Sequence, residues 1–336
     1  MKIQRFLLSL FLISGLHLAW ANPPTIVVAA NMKPAMEDIY QQYKATTGQE
    51  FRIIYGASGN LTRQIQQGAP FNLFISADEN FPLILSKGGF AMDDGKVYAI
   101  GRLAMIAPKG KGAKLSLKED DLKKIIISAN KVALAKPDIA PYGKAAVEFL
   151  TKLGLINLAK EKFAYGENIS SATNFVVVGA AQVGFTAYSL AISKEVAKDT
   201  EYVLIPENFH EPIRQRMVLL KNPPQSVQDF YNYMQSPKAR DIIKTHGYSL
   251  PWWLINQLGV SWHTFVMPDW SYLFARLISA IGSWLDAGNL RNRMYALKEE
   301  NELLKTALDD IQRMDSEGRM GWHAKKILDK IEGRSE

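Results

Sequence analysis

Short apolar runs alternate along the chain with stretches of helical periodicity. Thr25-Ile-Val-Val-Ala-Ala30 is apolar and β-branched and predicts a buried strand. Pro34 then stands where a first helical turn begins, and Met36, Ile39, Tyr40 and Tyr43 recur at helical spacing up to Gly48. Residues 51–55 predict the next strand, Leu61 and Ile65 a short helix ending at Gly68, residues 73–76 a third strand and 80–87 a third helix. Farther on, 97–108 reads as one long strand crossing between lobes, 131–135 as a strand and 143–153 as a helix. Residues 169–181 are apolar and rich in Ser and Ala, and read as helix. Residues 183–187, 202–206 and 213–220 read as strands, and 227–234 and 239–245 as closing helices stopped by Gly247. Such alternation predicts an α/β fold whose sheets are mostly parallel, with right-handed crossovers.

The two ends break the pattern. Lys2 and Arg5 precede an apolar run over 6–20, which closes on Ala19-Trp20-Ala21. This is the layout of a secretory signal peptide cut after Ala21, so a periplasmic location is expected. The run is shorter than the ~20 apolar residues of a confident membrane span. At the other end, Asp269 can cap a helix with Trp270, Leu273, Phe274, Leu277, Ile278, Ile281 and Leu285 along one face. That face suits a membrane surface, another chain or the lobes themselves, and only Arg276 is basic within it. Beyond it, Leu290, Leu297, Leu304 and Ile311 recur every seven residues beside Met294, Asn301 and Leu308. These heptads read as a short coiled coil, with Asn301 as a polar core position favouring a parallel dimer, or as an ordinary two-faced helix.

Composition sharpens these boundaries. The chain has 336 residues, with 40 Lys+Arg against 33 Asp+Glu. Residues 251–336 hold 11 basic and 12 acidic side chains, so the excess of positive charge lies before them. Five of the seven tryptophans fall between Trp252 and Trp284, and the two shifts together mark a boundary near Pro251. Cysteine is absent, which removes disulfides, thiolate metal sites and a cysteine nucleophile. The histidines, His17, His210, His246, His263 and His323, are far apart and give no zinc-ligand spacing, so no metal cation is expected.

The chemistry gathers at turns. Asn31, Ser58, Pro141-Tyr142-Gly143 and Asn168-Ile169-Ser170 each stand just before a predicted helix. Helix starts expose backbone N–H groups with partial positive charge and bind anions without a formal cation. In open α/β sheets such turns lie at the carboxyl ends of strands, where ligands bind. Asn and Ser are also ordinary helix caps, so the pattern alone reads as an α/β binding protein or enzyme. Asp78 reads as a lobe-hinge residue or as the cap of 80–87. Ser58, in Gly56-Ala-Ser58-Gly59, lacks the Gly-x-Ser-x-Gly spacing of a nucleophile elbow. No acid/base pair or nucleophile is arranged, and a non-enzymatic role is expected.

Several motifs, in order, resemble the periplasmic molybdate-binding proteins of ABC transporters. They are Val28-Ala-Ala-Asn31 with Pro34-Ala-Met-Glu-Asp-Ile39, Tyr55-Gly-Ala-Ser58-Gly, and Gln67-Gly-Ala-Pro70-Phe-Asn-Leu-Phe-Ile-Ser-Ala-Asp78. Ala140-Pro-Tyr-Gly-Lys-Ala-Ala146, Gly166-Glu-Asn-Ile169, Gln182-Val-Gly-Phe185 and Ile242-Ile-Lys-Thr-His-Gly-Tyr248 follow. The resemblance covers about residues 25–248 and not the tail. It implies a two-lobed type II periplasmic-binding-protein fold, with mixed, mostly parallel sheets and a ligand cleft between lobes. Lobe I is expected over 22–104 and 206–250, lobe II over 105–205, and a helical extension over 251–336. It further implies neutral donors for molybdate or tungstate: Asn31 and Ser58 in the first lobe, and Tyr142, Ile169 and Ala187 in the second. Some relatives carry serine at the position of Asn31 and a binding tyrosine at that of Ala187. Tyr188 takes no such role, since one residue along a strand points to the other face. The implied partners are the oxyanion and a membrane permease, with no cofactor and no nucleic acid. Self-association or membrane contact through the tail is a further expectation. The alternatives are another oxyanion (sulfate, phosphate or thiosulfate) and an oligomerising, anion-sensing interaction protein.

Overall fold

The computed structural model describes residues 23–110 and 115–250. The expected signal peptide, amphipathic helix and heptads lie outside the described residues.

Ten strands form two five-stranded sheets. The first contains β1 (Thr25–Ala29), β2 (Arg52–Gly56), β3 (Leu73–Ile75), β4 (Lys96–Gly101) and β10 (Ile213–Leu219). The second contains β5 (Leu103–Pro108), β6 (Val132–Ala135), β7 (Phe163–Gly166), β8 (Val183–Ala187) and β9 (Thr200–Leu204). The orders are β2-β1-β3-β10-β4 and β7-β6-β8-β5-β9. In the first sheet β10 runs antiparallel to both its neighbours, and in the second β5 does the same. The pairs β1–β2, β1–β3, β6–β7 and β6–β8 are parallel, as strand–helix alternation requires.

Helices cover both faces of each sheet, so the strands read as continuous apolar runs. In the first sheet Ile26, Val28 and Ile75 pack with Met36, Ile39 and Phe230 on one side. Val27 and Phe74 pack with Leu61, Ile65 and Leu85 on the other. In the second sheet Val132, Leu134 and Phe185 pack with Ile126, Phe149 and Leu150, and Ala133 and Ile106 pack with Val176. Among the described residues no helix is long and apolar enough to cross a membrane.

Three differences from the sequence reading have physical causes. Residues 97–108 are two strands, β4 and β5, in different sheets; the chain leaves one sheet at Gly101 and enters the other at Leu103. At Gly101 the space a Cβ would fill is taken by the Tyr142 hydroxyl and the Gln215 amide. The helix Glu119–Ser128 has no sequence forecast because charge hides its pattern. It buries only Leu122, Ile125 and Ile126, behind an acidic first turn that suits a helix start. The β7 segment is a short strand at the sheet edge with its side chains half covered, and so lacks the apolar run of its neighbours.

Candidate functional site

The carboxyl ends of β1, β2 and β3 face those of the second sheet across a small pocket. Asn31, Ser58, Tyr142 and Ile169 all line it, together with small residues such as Ala30 and Ala77. Every lining residue is uncharged. Ala187 does not line this pocket; it ends β8, fully buried and paired with Leu103 of β5.

Local sequence places each group. Asn31 sits in a tight turn, Ala30–Met32, between β1 and the helix Lys33–Thr47. Ser58 is the first residue of the helix Ser58–Gln66, and the cap position belongs to Ala57. Its side chain therefore does not cap its own helix. Instead Ser58 Oγ accepts the Ala77 N–H at 3.0 Å, which leaves its own O–H to donate. Tyr142 follows Pro141 at the start of the helix Pro141–Lys152. Proline has no N–H, so the first donor of that helix is Tyr142's. Ile169 opens the helix Ile169–Val177, capped by Asn168, whose side chain accepts the Ser171 N–H at 3.0 Å. Of the four turns read as helix starts, only this one uses its Asn or Ser as an ordinary cap.

The lobes meet around the pocket. Gly59 N–H donates to the Ile139 carbonyl at 2.9 Å, and a Cβ on Gly59 would lie 2.9 Å from Ile139 Cα. Ser170 Oγ donates to the Ala30 carbonyl at 3.2 Å, and Ser189 Oγ to the Asn31 carbonyl at 2.9 Å. Asn31 Nδ2 donates to Gln215 Oε1 at 3.0 Å and to the Tyr248 hydroxyl at 2.9 Å. Gln215 Nε2 donates to the Tyr142 hydroxyl at 2.9 Å. The Tyr98 hydroxyl lies 2.8 Å from both Gln215 Oε1 and the Ser76 carbonyl. Asn31 Oδ1 is buried and takes no hydrogen bond. A buried polar atom without a partner costs about 1–3 kcal/mol, so the Asn31 amide is incompletely satisfied in this arrangement.

Electrostatics agree with a neutral site. Burial pushes the hydroxyls of Tyr98, Tyr142 and Tyr248 well up, so all three remain protonated donors at physiological pH. Asp78, beside Ala77, is the nearby acid. Burial raises its carboxyl to about 6, opposed by hydrogen bonds from Ser76 and the Phe81 N–H and by Lys144 of the other lobe. The Phe81 N–H donates to Asp78 Oδ1 at 3.3 Å, so Asp78 ties down the first turn of the helix Asn80–Lys87. Among the described residues no three His, Asp or Glu side chains gather to hold a metal ion.

Sequence reading missed Gln215, Tyr98, Ser189 and Tyr248 as site residues. The signal for Gln215 was available: strand alternation puts it on the same face as Ile213 and Met217, both buried, where a polar side chain needs a partner.

The described residues match known proteins. The family model described as bacterial extracellular solute-binding protein matches residues 24–249. The molybdate-binding protein ModA of Azotobacter vinelandii is 36% identical over 246 residues, covering 69% of this chain and 92% of that protein. ModA of Rhodobacter capsulatus is 34% identical over 246 residues, covering 71% and 94%. The solved structure of the Azotobacter vinelandii periplasmic molybdate-binding protein superposes with a TM-score of 0.62 at 33% identity, covering 68% of this chain and 99% of that one.

Proposed function

Because this chain belongs to the bacterial extracellular solute-binding proteins, we propose that it captures molybdate outside the cytoplasm and delivers it to the permease of an ABC transporter. Tungstate, with the same shape and charge, is expected to bind alike. The observation that carries this reading is the pocket wall: Asn31 and Ser58 of the first lobe and the helix starts at Tyr142 and Ile169 of the second line it, and no charged residue does. Each hydrogen bond to a charged acceptor contributes about 1.5–3 kcal/mol, so a few neutral donors offset the lost hydration of a buried dianion. A lining arginine would bind the anion more strongly and hinder its release to the permease.

The residues divide by role. Asn31 and Ser58 bind through side chains. Tyr142 and Ile169 bind through the first N–H groups of their helices, where the backbone dipoles favour negative charge. Ala187 supports β8 and receives no ligand role. The relatives ModA of Azotobacter vinelandii and of Rhodobacter capsulatus are molybdate-binding proteins, which supports a binding role. Export through the N-terminal segment fits Lys2, Arg5 and the apolar run that follows. The family match spans residues 24–249.

Titration calorimetry on the exported chain tests the proposal. Molybdate and tungstate should bind far more tightly than sulfate. Equal affinity for all three, or no binding, refutes it.

A further inference from the structure

We propose that Gln215 is the positioning residue of this site: its amide sets which end of Asn31 faces the bound oxyanion. The inference rests on the oxyanion reading above and adds to it a residue that does not touch the ligand.

Gln215 is fully buried in β10, where pairing with β4 shifts register between Gln215 and Arg216. Such bulges re-aim side chains beside functional sites. Its amide lies within hydrogen-bond distance of Asn31 (3.0 Å), Tyr98 (2.8 Å) and Tyr142 (2.9 Å). Asn31 and Tyr142 come from different lobes and both line the pocket. Gln215 is thus the group through which the two pocket side chains meet, and its bond to Tyr142 spans the cleft.

Donor and acceptor accounting fixes the direction of the network. A primary amide has a donor end and an acceptor end of nearly equal size. With Gln215 Oε1 turned to Asn31, Asn31 presents Nδ2 to it and is left with a buried, unpartnered Oδ1. An acceptor is the wrong group for an anion pocket. The single proton of Tyr98 is then also claimed by two acceptors, Gln215 Oε1 and the Ser76 carbonyl. A half-turn of both amides about their last side-chain bonds keeps these heavy-atom contacts, gives Asn31 Oδ1 its partners and leaves the Tyr98 proton to Ser76 alone. Gln215 Nε2 then donates to Asn31 Oδ1 and to the Tyr98 hydroxyl. Tyr98 donates to Ser76 and Tyr142 donates to Gln215 Oε1, while the Tyr248 hydroxyl, 2.9 Å from the Asn31 carbonyl, shares its proton between that carbonyl and Asn31 Oδ1. The Asn31 amino group is freed for the oxyanion. One amide turning alone sets two oxygens, or two amino groups, face to face. The two amides therefore turn as a pair, and the contact that links the lobes also holds Asn31 toward the ligand.

Calorimetry with molybdate on the whole chain tests this. Gln215→Met removes both hydrogen-bonding ends and should weaken binding about tenfold or more. In an Asn31→Ala background the same change should alter affinity less than about twofold, because its effect passes through Asn31. Losses that simply multiply overturn the proposal. Gln215→Glu accepts but does not donate when ionised. Its affinity relative to wild type should be poor at about pH 8 and recover toward about pH 5 as the carboxyl protonates. The facing hydroxyls of Tyr98, Tyr142 and Tyr248 stay protonated throughout, and Asp78 titrates in both proteins. A loss equal at both pH values overturns the proposal. If the variants do not fold, the wild type decides by NMR. The Asn31 side-chain amide signals, identified by their absence in Asn31→Asp, should move on molybdate saturation, and signals that stay in place overturn the proposal. Wild-type chain that binds no molybdate refutes the oxyanion reading itself. Normal binding with indifferent Gln215 variants refutes only the inference.

Discussion

In the first sheet the order β2-β1-β3-β10-β4 places the antiparallel strand fourth, and in the second β7-β6-β8-β5-β9 does the same. One topology thus serves both lobes, yet they offer the pocket different chemistry. The first presents the side chains of Asn31 and Ser58, each held from behind, by Gln215 and Tyr248 and by the Ala77 N–H. The second presents the backbone starts of two helices at Tyr142 and Ile169. The difference lies in who caps the helices. Ala57 leaves Ser58 free to face the ligand, whereas Asn168 is spent on its own helix, so that only N–H groups remain there. The first lobe should therefore be sensitive to side-chain identity and the second tolerant of it.

The largest expected effect is on the first lobe. Ser58→Ala removes a donor to a charged ligand, which corresponds to about 1.5–3 kcal/mol, or roughly ten- to hundredfold in molybdate affinity by calorimetry. A change under threefold would erase the contrast between lobes. Next comes Asp78, the acid next to the lining residue Ala77. Its folded-state carboxyl is raised to about 6 by burial, above its ordinary 3.8. The protonated acid is thus favoured by folding, and the stability it contributes at low pH is lost as pH rises through about 6. Asp78→Asn keeps the shape and the acceptor for Phe81. Thermal unfolding should show variant and wild type alike near pH 4 and the variant more stable, by about 2 kcal/mol, at neutral pH. A gap that does not open with pH contradicts the burial argument.

The second lobe is tested by a pair of changes at one position. Proline is accepted at the first position of a helix, and Asn168 already has the extended backbone (φ −144°, ψ 175°) that proline requires before it. Ile169→Pro therefore removes the N–H without breaking the helix, and affinity should fall about tenfold. Ile169→Ala keeps the N–H and should change affinity by less than about twofold. If alanine weakens binding as much as proline does, the side chain rather than the backbone is the binding group.

The sequence made the strand–helix alternation legible because both faces of each sheet are buried, which leaves apolar runs such as 25–30 and 73–76 unbroken. It also drew attention to the four turns that the structure gathers around one pocket, because Asn, Ser and Pro mark helix starts. Two kinds of information were hidden. The break is marked only by Gly101-Arg102 and is easily read through, since β4 and β5 are each buried in their own sheet and separated by a single residue. The supporting network was hidden because its members are far apart in the chain: Gln215 and Tyr142 are 73 positions apart, and Tyr248 and Asn31 are 217 apart. Ala187 shows the opposite failing. A position matched by order along the chain ends up paired with Leu103, away from the pocket wall.

The double crossing between sheets also governs the order in which the chain can be assembled. All strands of the second sheet lie within 103–204, so that sheet has all its strands as soon as this stretch has emerged. The first sheet is in a different position. Its β4 pairs with β10 and, through Ile100, with Ser249, and β10 is wedged between β3 and β4, so the sheet stays open until residue 219 is available. An emerging chain therefore carries β3 with one edge unpaired, and such edges recruit other strands. The strand that carries Gln215 thus follows every strand of the second sheet, and Tyr248, the other partner of the Asn31 amide, follows it in turn.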